Sequence, residues 1–116
     1  MITIGIVEDN DVLRSSMEML LQNNGNYQVV FSLHDARTIL EQTEIHMPRL
    51  ILMDIDMPGI NGIEAVKMVK KDFPAVDIIM FTVFEDDEKI FRSVMAGASG
   101  YLLKKIAPSR LLEALN

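Results

Sequence analysis

Glu8 with Asp9, Asp54, Thr82 and Lys104 each stand at the carboxyl end of a short apolar run of this chain. Three carboxylates brought within contact distance repel strongly unless one takes up a proton or a cation intervenes. Carboxylates with no His or Cys beside them form a hard, all-oxygen donor set, which selects Mg²⁺ or Mn²⁺ over zinc. Taken singly, each residue has a plainer reading. Asp9 with Asn10 suits a helix cap, an Asp at a strand end suits a turn, Thr82 suits a strand, and Lys104 suits a solvated tail. Their shared position at one edge of four strands is what makes them a candidate site. The two histidines, His34 and His46, are expected near the opposite rim or in surface loops, as solvated residues.

The elements that must position these side chains are legible as a repeating pattern. Five apolar runs recur about every two dozen residues: ITIGIV (2–7), YQVVFSL (27–33), LILMD (50–54), DIIMFT (77–82) and GYLLK (100–104). Most carry Ile, Val and Leu on consecutive positions, as strands buried on both faces do. The second run ends in Ser32-Leu33 and offers no reactive group. Between the runs the period becomes helical, with Leu13, Met17, Leu20 and Leu21 on one face and Ala36, Ile39, Leu40 and Thr43 on another. Ile63, Val66 and Phe73 repeat the pattern, as do Ile90, Val94, Met95 and Ala98. Gly25 reads as a helix stop, and Asn61 followed by Glu64 as a helix start. Such (βα) units, five in all, call for an α/β fold with a parallel sheet, helices on both faces and right-handed crossovers. In sheets of this kind ligands bind outside the carboxyl ends of the strands, where strand order reverses.

Composition bounds the class. The chain has 116 residues, 49% of them apolar and 24% charged, the profile of one globular domain. It lacks cysteine, which excludes disulfides, thiolate metal sites and a cysteine nucleophile. A net charge of −6 disfavours DNA or anionic lipid as direct partners. No apolar stretch is long enough to span a membrane, and MITIGIVEDN is not a secretory signal. A soluble cytoplasmic domain is the expectation. The last helix is expected from Pro108 to Asn116 with Leu111, Leu112 and Leu115 on one face. That is short for a helix covering a sheet edge, so the expectation is a fifth helix truncated from a longer protein.

The order and spacing of these residues resemble the receiver domain of bacterial two-component response regulators, over the whole of residues 1–116. VEDN resembles the acidic pair after the first strand, and LILMDIDMPGINGIE the phosphoacceptor block, with Asp54 followed by Met57, Pro58, Gly59 and Gly62. IIMFTVFEDD resembles the segment with the switch threonine, here Thr82, and GASGYLLKK the one with Tyr101 and Lys104. The wording of the last two blocks is similar to the subfamily whose receivers precede a helix-turn-helix DNA-binding domain, the LuxR/NarL type.

The resemblance implies a flavodoxin-like doubly wound fold with strand order 2-1-3-4-5. It implies that Asp54 accepts a phosphoryl group from a phosphohistidine on a sensor kinase or phosphotransfer protein. Mg²⁺ (or Mn²⁺) would be held by Asp9, Asp54, the backbone carbonyl of Asp56 and, through a water, Glu8. Lys104 and Thr82 would contact phosphoryl oxygens, and inward movement of Thr82 would make room for Tyr101. A C-terminal DNA-binding domain would read this switch in the full-length protein, with a homodimer forming on phosphorylation. Asp56, Val83 and Phe84 flank the path of a hydrolytic water and are expected to tune phosphoryl lifetime. Asp56 would also add a fourth carboxylate near the rim. The implied role is a signalling domain, not an enzyme. Asp54-Ile-Asp56 also resembles the Asp-x-Asp of haloacid-dehalogenase phosphatases, but that family places the motif on its first strand.

Overall fold

The computed structural model describes residues 1–115; the expected end of the last helix at Asn116 lies outside them. The strands are β1 (Ile2–Val7), β2 (Tyr27–Leu33), β3 (Leu50–Met53), β4 (Asp77–Thr82) and β5 (Gly100–Leu103). The helices are α1 (Asp11–Asn24), α2 (Ile39–His46), α3 (Gly62–Asp72), α4 (Asp87–Ala96) and α5 (Pro108–Leu115). All strand pairs are parallel and the order is β2-β1-β3-β4-β5, as expected. The chain moves outward from β1 to β2 and then returns past β1 to β3. The carboxyl ends of β1 and β3 therefore flank the crevice at which such sheets bind ligands.

Continuous apolar runs are needed because each strand feeds two cores. Leu50 and Leu52 of β3 join Ile4, Ile6, Met17, Leu21, Leu111 and Leu115 on the α1–α5 side. Ile51 and Met53 point the other way, with Ile39, Ile63, Val66 and Val69 on the α2–α3 side. The period-2 alternation of a strand is present, but both faces are dry.

Helix starts and stops follow local chemistry. Asn10 caps α1 by accepting from the Leu13 amide at 3.0 Å, and Asn61 caps α3 by accepting from Glu64 at 2.9 Å. Gly25 ends α1 at φ 83°, a left-handed conformation that suits glycine. Gly62 serves closeness instead. A Cβ there would lie 1.9 Å from the carbonyl oxygen of Asp54, so only glycine lets α3 begin against the loop carrying that residue.

α4 departs from expectation. It ends at Ala96, with Gly97 as its cap, so Ala98 lies beyond it and packs against the core from the following loop. Val94 and Met95 are 56% and 70% exposed, and Ser93 is the residue buried. The expected stripe is therefore split: Val94 and Met95 face solvent, Ile90 is half-buried, and the small Ser93 makes the helix's buried contact.

Candidate functional site

Glu8, Asp54 and Lys104 sit just past strand ends, each fixed there by one further bond of the ladder, and Thr82 ends β4. The Glu8 amide donates to Leu33 O at 2.9 Å, the Asp54 amide to Val7 O at 3.0 Å, and the Lys104 amide to Thr82 O at 2.8 Å. The sheet's own register therefore delivers Glu8, Asp54, Thr82 and Lys104 to one rim.

There the side chains converge. Oxygens of Glu8, Asp9 and Asp54 lie within 4.8 Å of one another, with Glu8 and Asp54 buried and Asp9 exposed. Lys104 Nζ lies 2.6 Å from Glu8 Oε1 and donates to Asp54 Oδ2 at 3.0 Å. The other Asp54 oxygen accepts from the Ile55 amide at 2.8 Å, and Glu8 Oε2 accepts from the Asn10 amide at 3.0 Å. Burial pushes the Glu8 carboxyl up to about 7 and also raises that of Asp54. Burial alone would lower the Lys104 ammonium, but its bonds to Glu8 and Asp54 outweigh that and hold it above the ordinary lysine value. One ammonium thus partly offsets three carboxylates. Glu8 Oε1 is buried against Lys104, and the three carboxylates that meet here form an all-oxygen donor set that suits a hard divalent cation.

Next to this cluster, Thr82 is fully buried and its Oγ1 accepts a long bond, 3.4 Å, from the Phe84 amide. Tyr101 Oη donates to the Phe84 carbonyl at 2.8 Å. Thr82 and Tyr101 therefore both grip the chain at Phe84, whose half-buried ring carries Lys89 Nζ 4.6 Å above it. Val83 is 66% exposed.

Both histidines are exposed, as expected, and so is Asp56. The Asp56 side chain is not among the three carboxylates that meet within 4.8 Å. His34 lies in the exposed loop that follows β2, 3.3 Å from Asp35. His46 ends α2 and is exposed, its ring 6.3 Å from that of Phe31. Asp35 itself was not anticipated. It is buried, accepts from the Arg37 amide at 3.0 Å and from Nε at 2.8 Å, and is held below the usual carboxylate range chiefly by that amide. Arg14 was also missed: its guanidinium donates to the Glu8 carbonyl at 2.7 Å.

Comparison with known proteins identifies the family to which the chain belongs. A family model described as the response regulator receiver domain matches residues 4–116. The transcriptional regulatory protein LnrK of Bacillus subtilis is 34% identical over 115 residues, covering 99% of this chain and 52% of LnrK. The nitrate/nitrite response regulator protein NarL of Escherichia coli K12 is 32% identical, covering 98% of this chain and 53% of NarL. The chain thus spans about half the length of these curated relatives. Among solved structures, a LuxR-family two-component response regulator from Aurantimonas sp. SI85-9A1 superposes with a TM-score of 0.92 at 29% identity, covering 97% of this chain and 81% of that one. A CheY-like receiver domain protein from Methanospirillum hungatei superposes at 0.91 with 30% identity, covering 99% and 90%.

Proposed function

Because this chain belongs to the response regulator receiver family, we propose that Asp54 is its phosphoacceptor and that a partner's phosphohistidine is the donor. The observation carrying this reading is the convergence of Lys104 and the three carboxylates on one rim, with Lys104 Nζ 3.0 Å from Asp54 Oδ2. An Asp54 oxygen attacks phosphorus, the phosphorus–nitrogen bond breaks, and the electron pair leaves on the imidazole, which takes a proton. Asp9, Asp54, the Asp56 carbonyl and, through a water, Glu8 would hold Mg²⁺ or Mn²⁺. The ion supplies positive charge against the oxygens of the transferring group.

Lys104 already touches the acceptor carboxylate and neutralises part of the charge brought by the phosphoryl. Thr82 turns its hydroxyl from the Phe84 amide to a phosphoryl oxygen. That change releases one of the two grips on Phe84, and Tyr101 follows into the vacated space. The surface of α4 and β5 is thereby a two-state element biased by a local charge change. The domain signals and does not turn over a free substrate. In a longer protein it would precede a DNA-binding domain, with a sensor kinase or phosphotransfer protein as donor and a homodimer as the phosphorylated state. No described helix is long and apolar enough to cross a membrane.

Incubation with acetyl phosphate and Mg²⁺, followed by intact-protein mass spectrometry, tests the assignment. Transient gain of one phosphoryl group per chain is expected. Steady hydrolysis without a labelled species would make it a phosphatase, and no gain would make it an interaction module.

A further inference from the structure

We infer that Arg14, in the first turn of α1, is a positioning residue that holds Asp9 ready for a divalent cation; this rests on the metal-binding part of the function proposed above. Asp9 is exposed, and no hydrogen bond to its carboxylate occurs among the described residues. Its place is therefore set by its backbone. The Glu8–Asp9 peptide is fixed on one side by Arg14, whose one terminal nitrogen donates to the Glu8 carbonyl at 2.7 Å. The other terminal nitrogen pairs with Asp11 Oδ1, also at 2.7 Å. The Arg14 side chain is only 18% exposed against 82% for Asp11, so the carbonyl is the anchored end and Asp11 steers the fork from solvent. A planar guanidinium can hold both oxygens at once; an ammonium on a flexible stem cannot do so in the same geometry.

Two effects of Arg14 on metal binding have opposite signs. As a cation beside an acidic rim it weakens attraction for a second cation. As a clamp on the peptide it keeps Asp9 near Glu8 and Asp54, which their mutual repulsion would otherwise drive apart. Partners that orient a ligand group commonly change metal affinity by about tenfold or more when removed. The cation, by contrast, is already paired at 2.7 Å with the Asp11 carboxylate, which offsets most of its repulsion for a second cation. The clamp therefore dominates, and removing Arg14 weakens metal binding.

Arg14→Met keeps the stem and loses the fork; Arg14→Lys keeps a charge and one donor. Both are compared with the parent in two ways: the rise in melting temperature across a Mg²⁺ titration, and labelling by acetyl phosphate against Mg²⁺ concentration well below melting. Arg14→Met is expected to need at least threefold more Mg²⁺ for half of either effect. Its labelling rate at saturating Mg²⁺ should stay within twofold of the parent, with Arg14→Lys in between. A purely structural role would lower the metal-free melting temperature and leave the Mg²⁺ midpoint alone. A midpoint equal to or below the parent's overturns the inference. If the parent melts with a Mg²⁺ dependence but takes no label, the phosphoacceptor reading fails while the clamp is still decided by melting. A parent whose melting ignores Mg²⁺ overturns both.

Discussion

Glu8 and Lys104 form a buried ion pair, 2.6 Å apart, that is shorter than the 3.0 Å bond from the same ammonium to Asp54. Lys104 is thus shared, and the share held by Glu8 is the larger. The longer arm of glutamate makes this contact reachable from the end of β1. Glu8 is 1% exposed, and burial pushes its carboxyl up to about 7.

The pH dependence follows with a definite sign. Between the ordinary glutamate value, about 4.3, and 7 the unfolded chain has lost this proton while the folded chain keeps it. Folding takes up a proton in that window, so metal-free stability falls as pH rises through it. Glu8→Gln cannot ionise and should escape that fall. With chelator present, the variant's melting temperature should gain several degrees on the parent's between pH 5 and pH 7.5. A difference that stays constant across that range would show that Glu8 is already ionised in the fold.

Mg²⁺ should stabilise the parent, because an ion bound only by the folded state adds RT ln(1 + [Mg²⁺]/Kd) to stability. At one hundred times Kd that is about 2.7 kcal/mol, several degrees of melting temperature for a domain of this size. Asp9→Asn removes one of the three carboxylates that meet within 4.8 Å and should abolish most of the gain. Differential scanning calorimetry with and without Mg²⁺ checks both.

Asp54→Asn should take no label from any donor, yet fold as well as the parent or better. The amide is nearly isosteric, still accepts from the Ile55 amide, and relieves repulsion within the acidic group. Mass spectrometry after acetyl phosphate treatment decides it. Label persisting at the parent's stoichiometry would place the acceptor on another carboxylate, with Asp56 the first to examine.

Phe84→Asn should shorten the life of the phosphoryl group several-fold. Loss of the group requires a water in line with phosphorus, and on the proposed assignment the phenyl ring two residues past Thr82 would cover that path without offering a hydrogen bond. Its backbone is held by Tyr101 at 2.8 Å, a bond that survives the substitution because it involves the carbonyl alone. Asp56, which is exposed, would still be free to hold a water, and Val83, itself 66% exposed, would narrow the entrance from solvent. Decay is followed in excess Mg²⁺ after the donor is removed. Equal or slower decay in the variant would show that the ring packs for another reason, such as its contact with Lys89.

The sheet was readable because two-sided burial leaves a simple trace, unbroken Ile, Leu and Val, and because polar residues end those runs abruptly at Glu8, Asp54, Thr82 and Lys104. Asn61 and Gly25 announced helix ends by local bonding that needs no tertiary knowledge. The face of α4 was not readable. Period shows that Ile90 and Val94 share a side, but whether that side meets the sheet depends on how the neighbouring layer packs. Nor could spacing show that Glu8 would capture Lys104, 96 positions along the chain, or that Arg14 would reach back to a carbonyl. Those contacts arise from long side chains crossing between elements, and composition carries no trace of where such arms end.

The sheet's two dry faces give the rim two separate neighbours. Phe84 and Tyr101 pack into the core shared with α2 and α3. Lys104 instead lines a groove of about 350 Å³ with Leu13, Met17, Phe81 and Leu111, between α1 and α5. Charge added at Asp54 would therefore be felt in two layers that the five strands keep apart. A substitution in the groove between α1 and α5 should then leave the layer around Phe84 and Tyr101 undisturbed.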